Sequence, residues 1–375
     1  MKRLQEAFIQ RDLEKKLVFL VGPRQVGKTW LAKEIAKADP DAHVVYLNYD
    51  RLADREIIKK EAWLTKTSLL ILDELHKMPD WKRYIKGVFD TRPAHLKLLV
   101  TGSARLGAFR QGGESLAGRF FLHRLLPFSA VELSDTPFAA DLDRLIRRGG
   151  FPEPFLAQTD EEADRWRMHY MDGLIREDIL DFETIHDLKA MRVILEALRF
   201  RVGSPISYTS LSEDASVSPN TVKKYIDILE SLYIVFKVTP FSKNIARSLL
   251  KEPKIYFFDT GLVAGDAGAQ FENLMAVSLL KHVYALSDYK GKPKTLHYLR
   301  TKDKLEVDFC IAEHYRPELM IEAKYSDDHL HKPLLVFHEK LDIAAQQVVF
   351  DLKRERREKN LEVVSAETFL KGLWL

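Results

Sequence analysis

The sequence predicts an α/β protein: a mainly parallel sheet, then a helical segment, a helix-turn-helix with a strand pair, and a small mixed α/β module. Three observations carry this. Short apolar runs alternate with amphipathic stretches as far as about Leu133, a glycine-rich loop sits between the first run and a helix, and the hydrophobic period changes around Asp259-Thr-Gly-Leu. At 375 residues the chain exceeds one ordinary core, so two or three domains are expected.

The runs at residues 17–21, 44–47, 69–72 and 98–100 read as buried parallel strands, because a strand covered on both faces stays apolar without alternating. From about Asp135 to Ile206 the period is helical and the charge high, with Arg148-Gly-Gly-Phe-Pro-Glu-Pro separating two helical stretches. This reads as a helical lid or connector. Ile206 to about Phe241 reads as helix, turn, helix and a β-branched strand pair, with Ser218 as N-cap and Pro219 at the first helical position, a size that suits a winged helix-turn-helix. A helix over 271–282 then precedes strands at 295–299, 306–311 and 319–323.

Apolar residues make up 46% of the chain and charged residues 30%, the balance of a globular protein with a sizeable core. The formal net charge is only +3, from 58 basic and 55 acidic side chains, so any nucleic-acid site has to be a local patch. Cys310 is the only cysteine, which excludes an intrachain disulfide and a multi-cysteine zinc site and fits a reducing, cytoplasmic setting. Met1 to Lys16 is too charged for a signal peptide, and no run approaches the ~18 apolar residues of a membrane span. Neither export nor membrane insertion is expected.

Gly22-Pro23-Arg24-Gln25-Val26-Gly27-Lys28-Thr29 satisfies G-x-x-x-x-G-K-[ST] at every fixed position, after the strand at 17–21 and before a helix that opens at Trp30. Without a Cβ at Gly22 and Gly27, successive backbone N–H groups can converge on phosphate oxygens while the helix presents its positive end. Lys28 then neutralises β/γ charge and Thr29 ligates Mg²⁺. ATP and Mg²⁺ are the expected cofactors, cradled by residues 22–30.

Leu69-Leu-Ile-Leu-Asp73-Glu74 ends a buried strand in two carboxylates, the composition of a Walker B element, with Asp73 on hydrated Mg²⁺ and Glu74 polarising the attacking water. In Leu98-Leu-Val-Thr101-Gly-Ser103 the polar end of a third core strand would lie beside the γ-phosphate, which gives Ser103 a sensing role. Arg119, in Leu116-Ala-Gly-Arg, could stabilise transferring phosphoryl charge in cis or toward a neighbouring subunit; a surface salt bridge suits its spacing equally well.

These residues resemble the prokaryotic, archaeal-type AAA ATPases that carry a C-terminal restriction-endonuclease-like domain. The likeness runs along nearly the whole chain, through the glycine loop, Leu72-Asp-Glu-Leu-His-Lys-Met-Pro-Asp-Trp, Thr101-Gly-Ser-Ala-Arg, Leu116-Ala-Gly-Arg with Leu126-Pro-Phe-Ser, Gly149-Gly-Phe-Pro-Glu, Tyr256-Phe-Phe-Asp-Thr-Gly-Leu, Phe271-Glu-Asn-Leu and Glu306-Val-Asp-Phe. It implies an AAA-like P-loop NTPase core over 1–134, a helical lid over 135–205, a winged helix-turn-helix over 206–258 and a restriction-endonuclease-like α/β domain over 259–375, and it favours a catalytic Arg119. His76 stands where the family more often carries an amide, a departure that touches only the sensing of the γ-phosphate.

In nucleases of the PD-(D/E)xK type that the resemblance implies, an Asp and a Glu on adjacent strands hold a divalent metal and a Lys two residues on positions water. Asp308, Glu322 and Lys324 have that order, and Glu272 on the preceding helix is the accessory acid. Glu322 and Lys324 leave the same strand face, and Asp308 comes from the other strand of a hairpin. A carboxylate followed at i+2 by Lys is also common in cross-strand charge pairing, and both readings stand.

The predicted recognition helix, 219–232, sets Val222, Ile226, Leu229 and Tyr233 at core spacing and leaves Asn220, Thr221, Lys223 and Lys224 outward, toward DNA phosphates and base edges. Winged helices also dock proteins or merely pack, and Asp227 and Glu230 dilute the charge here. Two functional readings follow: a Mg²⁺-dependent ATPase coupled to nucleic-acid binding with a metal-dependent nuclease module, or a regulatory signalling ATPase whose inert nuclease-like domain docks a protein partner. An Arg119 acting in trans would require a homo-oligomer.

Overall fold

The protein is described by a computed structural model over residues 1–38, 41–102, 116–175, 187–242 and 252–375, and it divides into two units, Met1–Leu126 and Pro127–Leu375.

In the first unit β1 (Leu17–Val21), β2 (Val44–Asn48), β3 (Leu69–Asp73), β4 (Lys97–Gly102) and β5 (Phe120–Arg124) form an all-parallel sheet in the order β2-β3-β4-β1-β5. β1 and β3 are buried at every residue, as the unbroken apolar runs required. β5 escaped the sequence reading because it is a half-exposed edge strand ending in His123 and Arg124. Alternate residues Leu17, Phe19 and Val21 of β1, with Leu70, Leu72, Leu98 and Val100, line one sheet face together with Ile85 and Val88 of helix Trp81–Thr91. Each such fully buried side chain contributes roughly 1.5–3 kcal/mol. The register Val21↔Gly102 and Asp73↔Thr101 aligns the carboxyl ends of β1, β3 and β4 along one sheet edge.

The second unit opens with helices Leu142–Arg148, Pro152–Leu156 and Asp160–Gly173, and the break between the first two is a backbone requirement. Gly149 has φ +68°, and a Cβ there would lie 1.8 Å from Asp259 Oδ1. Helices Leu188–Arg199, Tyr208–Ala215 and Pro219–Ser231 follow, then the antiparallel pair β6 (Val235–Pro240) and β7 (Lys254–Phe257). Ser218 caps the third of these helices, its Oγ accepting from Thr221 N at 3.1 Å. That helix stops at Ser231. Tyr233, expected in its apolar stripe, instead has φ +57° and meets the Phe258 ring edge-on, while Tyr225 and Ile228 join Val222, Ile226 and Leu229 as buried positions.

β6 also pairs in parallel with β8 (Lys294–Arg300), beyond which lie β9 (Glu306–Glu313), β10 (Arg316–Lys324), β11 (Ala344–Val349), β12 (Arg356–Glu358) and β13 (Leu361–Ser365). The eight strands run β12-β13-β11-β10-β9-β8-β6-β7. The expected boundary at 258/259 thus does not separate two bodies, because the β6–β7 pair ends the same sheet. Helix Ala267–Lys290 is longer than the 271–282 expected; Asp266 caps it and Gly291 closes it at φ +65°. No helix among the described residues is long and apolar enough to cross a membrane.

Candidate functional site

At the end of β1 the chain turns through Gly22, where a Cβ would lie 2.1 Å from Leu125 O. Gln25 and Gly27 take φ +58° and +98°, and helix Lys28–Lys37 starts immediately after. The glycines thus serve backbone geometry, as the loop motif demands. Trp30, on the first turn, is 42% exposed, whereas Lys28 is buried. The Lys28 ammonium donates to Gly22 O at 3.0 Å and Pro23 O at 2.6 Å. Burial pushes its pKa down to about 8, against the pull of Glu74 and Asp73.

Asp73, 2% exposed at the end of β3, accepts from Thr29 Oγ1 at 2.9 Å on Oδ2, from Tyr46 OH on the same oxygen, and from Thr101 Oγ1 on Oδ1. The hydroxyl and the carboxylate lie where a hydrated Mg²⁺ would take Thr29 directly and Asp73 through water. Glu74 follows in the left-handed region at φ +56°, its N–H donating to Thr101 O at 3.1 Å. Burial raises its pKa and Asp73 raises it further, while Lys28 opposes, a direction that suits a carboxylate receiving a proton from water. His76 Nδ1 lies 3.6 Å from Glu74 Oε2. Tyr46 was missed because it sits inside an apolar run on β2, and only the pairing of β2 with β3 brings its hydroxyl to Asp73.

Of the other residues expected at this site, Ser103 lies outside the described residues and Arg119 is placed elsewhere. Arg119 immediately precedes β5, and its carbonyl accepts from Leu17 N, at the opposite end of β1 from the loop. Its guanidinium pairs with Asp90, Nε–Oδ1 2.8 Å and Nη2–Oδ2 3.1 Å. The cis role expected for it is corrected to the surface salt bridge that its spacing also allowed.

In the second unit β9 and β10 are antiparallel, and Asp308, Glu322 and Lys324 come together as expected. Asp308 N donates to Glu322 Oε2 at 3.3 Å, Ala323 N to Asp308 Oδ2 at 3.1 Å, and Lys324 Nζ lies 2.8 Å from Glu322 Oε1. Glu272 joins them from helix Ala267–Lys290, accepting from Tyr256 OH at 2.6 Å. Burial and Asp308 push Glu272 up to about 7, against Lys254 and Tyr256. Among the described residues the group whose ligand atoms all lie within 4.8 Å of one another is Asp327, Asp328 and His329, whereas Glu272 and Asp308, expected as metal ligands with Glu322, each hold Lys254 Nζ at 3.2 Å. Lys254, Tyr256 and His331, the last 2.7 Å from Glu322 Oε1, went unread. The period-2 spacing of Lys254 and Tyr256 was the available signal, because it puts both on one face of β7.

Asn220, Lys223 and Lys224 are exposed on helix Pro219–Ser231 and Thr221 is half-buried, so the four share the solvent side as expected. Asp227 and Glu230 are both drawn to Lys237, at salt-bridge distance.

The parallel sheet, the glycine loop and the Thr29–Asp73 contact define the first unit as a P-loop nucleotide-binding domain. Residues 14–134 match the family model described as AAA domain, so the AAA-type P-loop ATPase assignment rests on both sequence and geometry. Residues 139–272 and 267–369 match two domains of unknown function, DUF8612 and DUF4143. The chain is 29% identical over 318 residues to an uncharacterized protein of Mycobacterium tuberculosis H37Rv, covering 80% of this chain and 68% of that one. It is 23% identical over 345 residues to an uncharacterized protein of Methanocaldococcus jannaschii, covering 81% and 75%. Among solved structures it is similar to a Walker-type ATPase of Pyrococcus abyssi, at TM-score 0.46 and 15% identity over 70% of this chain and 94% of that one. It is also similar to the Thermotoga maritima RuvB Holliday junction branch migration motor, at TM-score 0.34 and 16% identity over 62% and 88%.

Proposed function

We propose that this chain is a cytoplasmic Mg²⁺-dependent ATPase whose nucleotide cycle is coupled to nucleic acid bound at helix Pro219–Ser231. The observation that carries the ATPase half is the 2.9 Å contact of Thr29 Oγ1 with Asp73 Oδ2, beside the buried ammonium of Lys28 and the carboxylate of Glu74. Mg²⁺, when bound, offsets charge on the β- and γ-phosphates. Lys28 exchanges its two loop carbonyls for phosphate oxygens, Thr29 and Asp73 hold the ion's shell, and Glu74 takes the proton of the attacking water.

The nucleic-acid half is supported by the exposed Asn220, Lys223 and Lys224 on a helix that closes a three-helix group before a strand pair, the arrangement of a winged helix. Lys28→Ala and Asp73→Asn are expected to abolish Mg²⁺-ATP turnover, and native turnover in either purified variant would falsify the site. Stimulation of that turnover by DNA tests the coupling. Arg119 acts in this reading only across a homo-oligomer, so an Arg119→Ala enzyme should lose turnover only under conditions where the chain self-associates.

One observation favours a second reading, a regulatory ATPase whose restriction-endonuclease-like domain cleaves nothing and docks a protein partner. Glu272 and Asp308, two of the three carboxylates that would hold a metal, are both paired with the Lys254 ammonium. ATP hydrolysis indifferent to every form of DNA, with no Mg²⁺- or Mn²⁺-dependent cleavage, would select it.

A further inference from the structure

We infer that the ammonium of Lys254 is the resident cation of the acidic centre in the second unit, seated where a divalent ion would have to sit, so that the native chain binds no divalent metal there. The inference goes beyond the ATPase reading and stands or falls independently of it.

Lys254 opens β7, and its side chain is 1% exposed. Its Nζ lies 3.2 Å from Glu272 Oε1, 2.9 Å from Glu306 Oε1 and 3.2 Å from Asp308 Oδ1. The ammonium donates hydrogen bonds to Glu272 and Asp308 and is ion-paired with Glu306. These three acids come from a helix and a strand, and they surround the nitrogen as ligands surround an ion. The spacing is that of N–H···O contacts, whereas Mg²⁺ draws its oxygens in to about 2.0–2.1 Å. The face of Tyr298, 5.5 Å from the nitrogen, and the Tyr256 hydroxyl on Glu272 close the surroundings.

The charge count agrees. Glu272, Glu306, Asp308 and Glu322 already face Lys254, Lys324 and Arg300, whose Nη1 is 3.4 Å from Glu306 Oε2. A divalent ion entering with Lys254 in place would leave the centre with excess positive charge in a buried site.

The test is Mn²⁺ binding to the full-length, nucleotide-free chain, read from the paramagnetic resonance of free Mn²⁺. Native protein and Asp308→Asn should bind the same number of ions, and Glu272→Gln should repeat that result. Lys254→Met should bind one ion more than the native chain, and the Lys254→Met/Asp308→Asn double variant should lose it again. Loss of an ion from the native chain on Asp308→Asn overturns the inference. So does a Lys254→Met protein, folded by circular dichroism, that gains none. If Lys254→Met does not fold, the comparison of native chain with Asp308→Asn and Glu272→Gln decides alone.

Discussion

Lys28 shows how one side chain stores the binding energy of an anion site. With burial holding its pKa near 8 and two loop carbonyls as its acceptors among the described residues, the ammonium is poorly solvated until phosphate arrives. Phosphate raises that pKa, so above pH about 8 the free protein has lost a proton that the complex must regain. Nucleotide affinity should therefore be flat below pH 8 and fall by up to about tenfold per pH unit above it, in Kd values measured from pH 7 to 9.5. Lys28→Gln should bind weakly with no such slope; a native profile without a break near pH 8 would contradict the assignment. Gly22 is as constrained sterically as Lys28 is electrically. Gly22→Ala places a carbon 2.1 Å from Leu125 O, which must displace the loop. We expect loss of nucleotide binding and about 1–3 kcal/mol of stability, measured by urea unfolding.

At the scale of elements, what was legible depended on whether the cause was local. The loop, β1, β3 and the cap at Ser218 were readable because burial on two faces, a left-handed turn and an N-cap each leave a mark on adjacent residues. β5 carried no mark, since an edge strand need not be apolar, and its place beside β1 is set by pairing across a hundred residues of chain. The β6–β8 pairing that merges two expected domains was hidden for the same reason. In the acidic centre, Asp308, Glu322 and Lys324 were singled out by the family resemblance and only their convergence by strand spacing, whereas Lys254 and Glu306 act there only because β7 and β9 are brought to one helix. Helix Pro219–Ser231 is the element whose local reading can be tested directly. Ser218→Ala should cost about 1 kcal/mol through the lost cap to Thr221 N. Lys223→Glu with Lys224→Glu should weaken DNA binding and reduce the slope of log affinity against log salt by about 2, leaving basal ATP turnover unchanged. An unaltered salt slope would remove this helix from the nucleic-acid reading.

At the scale of the molecule, the question is whether Pro127–Leu375 behaves as one body although the sequence reads as three segments. Its joint is Asp259, buried and paired through Oδ2 with Arg167 Nε at 2.9 Å; the same guanidinium reaches Arg147 O at 3.0 Å and Asp164 Oδ1 at 2.7 Å. Gly149 and Gly261 exist at this joint to leave room, the first for the Asp259 carboxylate and the second for the Arg167 guanidinium, which a Cβ would approach to 1.8 and 2.0 Å. Two motifs that stand far apart in sequence are therefore the two halves of one contact between the helical segment and the turn after β7. Removing one partner of a buried pair strands the other charge, so Asp259→Ala should cost about 3–5 kcal/mol. If the unit is cooperative, hydrogen exchange will show that loss shared by helices Asp160–Gly173, Leu188–Arg199 and Pro219–Ser231 and by β8 to β11 alike. Protection lost from residues 142–173 alone, with β8 to β11 unchanged, would mean that the segments fold separately and that the shared sheet does not transmit the joint's stability.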